Sequence, residues 1–230
     1  MTQIRTLSPM REVRPFNVVR DFELALAEYT GARDAVAVSS CTMALLLATA
    51  YHLDWNHRAR LGMPTVAEQK PRIEIPKRTY VGVPMSIVHA GGRPVFRDEE
   101  WFGAYQLSPL PVWDAARRMR RGMFHETASG AEGAMVCVSF HWTKTLGIQQ
   151  GGAILLDSTE PLEWLRRARF DGRREGVAPK DDSFDMLGWH CYMSPEIAAA
   201  GLVRLAALPD DNPDLPNDPY PDLSQAEVFK

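Results

Sequence analysis

Short apolar runs alternate along this chain with segments of helical periodicity, and that alternation restricts the fold more than any other feature. "DAVAVSS" (34–40), "AMVCVSF" (134–140) and "GGAILLD" (151–157) are apolar at most positions and too short to be typical helices. Such runs read as strands covered on both faces. "RIEIP" (72–76), "RPVFRD" (93–98) and a strand ending at Asp114 inside "SPLPVWDAARR" extend the set. Between them, "VVRDFELALAEY" (18–29) spaces Val19, Phe22, Leu26 and Tyr29 on one helical face, and Gly31 follows as a stop. "CTMALLLATAYHL", "YVGVPMSIVHAGG", "PLEWLRRARF" and "SPEIAAAGLVRLAAL" read as further helices. The last opens with Ser194-Pro195-Glu196, a cap with proline at the first helical position. The pattern predicts a three-layer α/β fold around a mostly parallel central sheet. In such sheets ligands bind where strands end and helices begin, which directs attention to residues 39–42, Thr79, Tyr80, Asp114 and residues 139–144.

With 230 residues, 45% of them hydrophobic, the chain can bury an ordinary core. A net charge of -3 argues against a general nucleic-acid or membrane-surface binder. Cys41, Cys137 and Cys191 form no CxxC pair and read as reduced thiols of a cytoplasmic protein. Residues 1–15 contain no apolar signal-peptide core, and no window of about 18 apolar residues suggests a membrane span. "PDDNPDLPNDPYPDL" (209–223) holds five prolines and five aspartates without one basic residue. The expected organisation is a domain over 1–208 followed by an extended or disordered tail over 209–230, or an arm lying on a partner.

The chemistry concentrates at the predicted strand ends. Lys144 sits in the turn of "SFHWTKTLGIQQGGAILLD" (139–157), between two buried strands. A lysine dehydrated there has its pKa lowered, and a neutral amine forms Schiff bases with aldehydes. Asp114, at a strand end, is either an N-cap for "AARRMRRG" or the partner of a protonated ring nitrogen. Tyr80 is a stacking surface or part of the core. Ser40, Cys41 and Thr42 open a helix whose free N–H groups suit a phosphate, although Ser and Thr are also ordinary caps. A Schiff-base lysine, a carboxylate, an aromatic face and a phosphate cradle are together what pyridoxal 5'-phosphate requires. His141 and His190 have no HxxxH, CxxC or carboxylate cluster around them, so no metal site is expected. "RRMRR" (117–121) and "RRARFDGRR" (166–174) are either solvated helix faces or sites for a phosphate-bearing substrate such as a nucleotide sugar, a nucleotide or a nucleic acid. "FHETASGAEG" (124–133) reads as a polar loop or part of a lid, and His52, His57 and His89 as ordinary surface or helix residues.

Five stretches across residues 20–208, including "VWDAARRMRRGM", "SFHWTKTLGIQQGGAILL" and "LGWHCYMSPEIAAAGLVRL", resemble the large domain of the DegT/DnrJ/StrS sugar aminotransferases. The resemblance implies a fold type I pyridoxal-phosphate transferase domain. It implies that Lys144 carries the cofactor and shuttles protons, that Asp114 pairs with the pyridine nitrogen, and that Tyr80 stacks on the ring. Ser40, Cys41 and Thr42 would hold the phosphate, with Ser139 and His141 close by. The chain departs from the family pattern at Arg117, where a glutamine is usual, and at Gln150, where a glutamate is usual. His190 stands in place of an asparagine that reaches a neighbouring subunit's phosphate, and Tyr192 in place of an arginine. The family's small C-terminal domain has no counterpart here, so the expectation is a minimal enzyme with an open site, or a pocket completed by another protein, or one covered by a neighbouring copy. The expected activity is transfer of an amino group from an amino donor to a carbonyl of a phosphorylated or nucleotide-linked acceptor, by a homodimer with shared sites. Two alternatives stay open: a pyridoxal-phosphate decarboxylase or lyase on an amino-acid-bearing nucleotide or base, and a non-catalytic binding subunit.

Overall fold

The computed structural model describes residues 16–53 and 70–230. The readings of residues 1–15 and of His57 lie outside these residues. Helix α1 (Asn17–Thr30) ends at Gly31 in a left-handed conformation, φ 74°. Strand β1 (Asp34–Val38) leads into α2 (Cys41–His52), then β2 (Arg72–Pro76), α3 (Gly82–His89) and β3 (Arg93–Arg97). Next come β4 (Tyr105–Gln106), β5 (Val112–Asp114), α4 (Met123–Ala128), β6 (Met135–Ser139), β7 (Gly152–Leu156), α5 (Leu162–Ala168) and α6 (Pro195–Ala206). Helix α6 is capped as its sequence predicts: Ser194 Oγ accepts from the Ile197 amide, with Pro195 at the first turn.

The main sheet runs β1-β7-β6-β5-β4, and β2 and β3 form a separate parallel pair. The expectation of a mostly parallel sheet is corrected here. Within the main sheet only β5–β6 is parallel, while β1–β7, β6–β7 and β4–β5 are antiparallel. Strand β7 returns from β6 through a turn rather than a crossover helix, so the two must run antiparallel. The three-layer reading holds. Val136, Val138, Ala153 and Leu155 face α1 and α6, packing with Phe22, Leu26 and Ala198. The alternate residues Cys137, Ile154 and Leu156 face α2 and α5, packing with Leu45, Leu47 and Leu165. Burying each Val, Leu, Ile or Phe among them contributes about 1.5–3 kcal/mol, which is why these runs carry no polar alternation.

Two local readings are also corrected. Residues 124–128 of the expected polar loop belong to the short helix α4, bracketed by left-handed residues Gly122 and Ser129. The "RRMRR" segment lies outside any helix. Its arginines pair with acids: Arg118 and Arg120 clasp buried Asp214, and exposed Arg121 donates from Nε to Asp210 Oδ1 at 2.6 Å.

Residues 209–222 form neither helix nor strand and run along the same chain's surface. Tyr29 donates to the Pro209 carbonyl at 2.5 Å and accepts from Asn212 at 3.0 Å. Asp214 is buried, and Gly103 gives it room. A Cβ on Gly103 would stand 2.0 Å from Asp214 Oδ2. Farther along, the Leu223 amide donates to the Lys77 carbonyl at 2.9 Å, and Lys77 Nζ lies 3.2 Å from Asp222.

Candidate active site

The turn that carries Lys144 is held by its own backbone. The Phe140 amide donates to the Gly151 carbonyl at 2.9 Å, and the Ile148 amide to the Phe140 carbonyl at 3.1 Å. The Lys144 amide donates to the His141 carbonyl at 2.8 Å. Phe140, Leu146 and Ile148 are buried beneath the turn, which keeps the lysine at its rim. The glycines after it answer a packing demand. A Cβ on Gly152 would fall 2.5 Å from the Cys41 nitrogen, so only glycine lets β7 start directly beneath the first turn of α2. This contact fixes residues 40–42 beside the Lys144 turn. Ser40 accepts from the Met43 amide at 3.2 Å as the N-cap of α2.

Asp114 ends β5 and is 4% exposed. Its Oδ1 accepts from the Ala116 amide at 2.9 Å, so it caps a turn and not the helix that one sequence reading offered. Its Oδ2 accepts from the Tyr105 hydroxyl at 2.9 Å. A carboxylate can only accept, so the Tyr105 proton points to Asp114. The Thr79 hydroxyl, 2.6 Å from the Tyr105 oxygen, is then the donor of that contact. Among the described residues no cation forms a salt bridge with Asp114. Burial pushes its pKa up, against the opposing pull of these hydrogen bonds and of Lys144 and Arg117. Burial and then the Arg117 charge hold the Lys144 ammonium below the usual lysine range, with Asp114 pulling the other way.

These groups face one cavity of about 340 Å³. Of the residues singled out from the sequence, Ser40, Cys41, Thr42, Tyr80, Asp114, Arg117, Ser139, His141 and Lys144 all line it. His190 does not. Its exposed ring sits 2.8 Å from Asp171, outside this chain's cavity. Sequence reasoning missed Trp101, Asp218 and Tyr220 in the cavity wall, and Tyr105 behind Asp114. Arg117 is 5% exposed and is held from the C-terminal arm: one amino group donates to Asp218 and, at 3.0 Å, to the Tyr220 hydroxyl. The site thus offers a desolvated amine, a buried carboxylate lacking a salt-bridge cation, an exposed tyrosine ring and a helix N-terminus. Among the described residues there is no cluster of three His, Cys, Asp or Glu side chains able to hold a metal, and no helix long and apolar enough to cross a membrane.

The sequence model of the DegT/DnrJ/EryC1/StrS aminotransferase family matches residues 11–112 and 110–213. The fold is similar to that of the sugar aminotransferase CalS13 from Micromonospora echinospora, with a TM-score of 0.60 and 17% identity over 83% of this chain and 60% of that one. It is similar to DesI in the presence of its TDP-sugar product, with a TM-score of 0.57 and 23% identity over 84% of this chain and 53% of that one. NtdA from Bacillus subtilis with bound cofactor PMP gives a TM-score of 0.62 and 18% identity, covering 84% of this chain and 48% of that one. The chain therefore spans less than two thirds of the length of these solved structures. Among curated protein sequences, none matches it.

Proposed function

The chain belongs to the DegT/DnrJ/EryC1/StrS aminotransferase family, and we propose that it is a pyridoxal-phosphate-dependent aminotransferase whose acceptor is a nucleotide-linked keto sugar. The observation that carries the reading is the pairing of Lys144 with Asp114 in one cavity: an amine whose pKa burial lowers, beside a buried carboxylate with no salt-bridge cation. The cavity's groups fit the cofactor. Asp114 would meet the protonated pyridine nitrogen, which supplies the missing cation. Tyr80 would cover one ring face, and the first turn of α2 with Ser40 and Thr42 would receive the phosphate. When bound, pyridoxal phosphate supplies an aldehyde for Lys144 and a ring that withdraws electrons from the substrate's Cα. Lys144 Nζ would take up the proton from that Cα and hand it on, a role its lowered pKa suits. DesI's TDP-sugar product and the sugar aminotransferase CalS13 support the choice of acceptor. A second copy would cover the exposed apolar residues Val81, Met85 and Val88, at the start of and along α3 next to cavity-lining Tyr80.

The test is an absorption spectrum of the purified protein with added pyridoxal phosphate, with Lys144→Ala alongside. The expected result is a yellow Schiff-base band in the wild type only, bleached by an amino donor with release of its keto acid. A band equally strong in Lys144→Ala, or none in the wild type, overturns the reading.

A further inference from the structure

Arg117 is a buried charge at the cavity with one donor unmet. Its guanidinium is almost wholly enclosed, yet its Nε finds no partner. Its counter-charge comes from Asp218, whose side chain is 63% exposed, 101 residues along the chain. A buried guanidinium needs an anion, whereas an exposed carboxylate loses little when released to water. The arm that brings Asp218 is pinned on both sides of it. Asp214 is clasped by Arg118 and Arg120 before it, and Asp222 meets Lys77 after it, followed by buried Leu223. Between these anchors, the contacts to the rest of the chain are the Leu215 amide to the Arg117 carbonyl at 2.9 Å, Asn217 Nδ2 to the Trp101 carbonyl at 2.7 Å, Tyr220 on Arg117, and Asp218 itself. The span therefore has fixed ends and a centre held by few bonds, directly over a cavity that contains Lys144 and Asp114.

We propose that Arg117 is the cavity's receptor for an oxyanion of the substrate, and that Asp218 of the C-terminal arm occupies it until that anion arrives. The guanidinium offers Nε and one amino group as a fork that matches a carboxylate or a phosphate. An entering anion pairs with this fork, Asp218 turns to solvent, and residues 216–221 lift while the anchors at Asp214 and Asp222 hold. The arm thus selects for anionic substrates, since a neutral one cannot displace Asp218. The aminotransferase reading enters only in calling this anion a substrate's; the receptor itself needs no cofactor.

The experiment uses the full chain without added pyridoxal phosphate, at constant ionic strength. Inorganic phosphate and L-glutamate are titrated separately, with binding followed by calorimetry and amide hydrogen exchange followed over residues 215–222. Saturable binding of either, with faster exchange at the amides of Asn217, Asp218 and Tyr220 (residues 216, 219 and 221 are prolines) and unchanged exchange at 214 and 223, is expected. Asp218→Asn should bind that anion about fivefold more tightly, because the internal competitor is gone. Arg117→Gln should lose the response of the arm even if phosphate still binds at α2. A response to phosphate alone identifies a phosphorylated or nucleotide-linked substrate, and one to L-glutamate alone identifies the amino donor's carboxylate; a response to both supports the shared receptor. No change in arm exchange with either anion, or an affinity unaltered by Asp218→Asn, overturns the proposal, and the second variant decides the matter if Arg117→Gln does not fold. The yellow band with pyridoxal phosphate is read separately, so either idea can fail alone.

Discussion

Glu23 and Asp114 are both buried carboxylates, and their surroundings could hardly differ more. Glu23, on α1, is 2% exposed and ringed by donors. It accepts from the Ala37 amide at 2.9 Å and from Arg20 at 2.8 Å, and it pairs with Arg169, itself fully enclosed and bonded to Glu175 at 2.8 Å. Burial pushes its pKa up, but Arg169, Arg20 and the amide outweigh burial and hold it below the usual range. Asp114 receives two hydrogen bonds and no salt bridge, and burial wins. A carboxylate with its cations already in place is finished structure. One at the wall of a cavity with no salt-bridge cation beside it has its charge disfavoured by burial and offers a place for a positive group, and that marks the site.

The comparison breaks most visibly by truncation. Glu23→Ala leaves Arg169 enclosed with half its counter-charge and should cost about 3–5 kcal/mol, read as a lower urea midpoint. Asp114→Asn should leave the midpoint unchanged or higher, because it removes a charge that burial disfavours. The same change should reduce turnover by about 10²-fold, since the electrostatic partner of the ring nitrogen is gone. If Asp114→Asn unfolds the protein, Asp114 is structural after all.

The two groups also oppose each other in pH dependence. Glu23 has a folded pKa below its unfolded value of 4.5, so its stabilisation is present above that value and is lost as pH falls through the folded pKa. Asp114 has a folded pKa above its unfolded 3.8, so its contribution is full below that value and is lost as pH rises through the folded pKa. Urea midpoints measured from pH 3 to 7 should fall less steeply on the acid side in Glu23→Gln than in the wild type. In Asp114→Asn the acid loss should be steeper, because the opposing term has been removed. Equal acid limbs in all three proteins would contradict the contrast.

The sequence made the layers legible because a strand buried on both faces leaves an unbroken apolar run. It could not reveal their direction, since a doubly covered antiparallel strand such as β7 looks the same as a parallel one. Lys144 and Asp114 were legible as strand-end residues, and geometry places both at one cavity. The supporting groups were hidden for a physical reason. Tyr105 lies on a strand of two residues, too short to leave a period. Asp218 and Tyr220 reach the cavity from a segment whose composition says only that it is extended. The "RRMRR" arginines could not be assigned their buried acid from sequence because Asp214 lies more than 90 residues away, although Glu126, another partner of Arg118 and Arg120, is near in sequence. His190 was found by motif alone, and its place outside this chain's cavity leaves contact with a second copy's phosphate as a proposal.

The finest test of the contrast lies in the hydroxyl that supports Asp114. Tyr105→Phe keeps the ring against Trp101, whose centroid is 4.7 Å away, and removes only the donor to Oδ2 and the acceptor for Thr79. A buried oxygen left without its donor costs about 1 kcal/mol or somewhat more, so the urea midpoint should drop modestly. The larger information is in the charge. With one fewer hydrogen bond stabilising the anion, Asp114 should titrate higher still, and affinity for pyridoxal phosphate should weaken several-fold at the acid end and recover as pH rises. A variant with weaker binding at every pH by the same factor would mean that Tyr105 shapes the cavity rather than tuning the carboxylate. The wild-type hydroxyl would then belong with the contacts of Glu23, as structure, and not with the chemistry of Asp114.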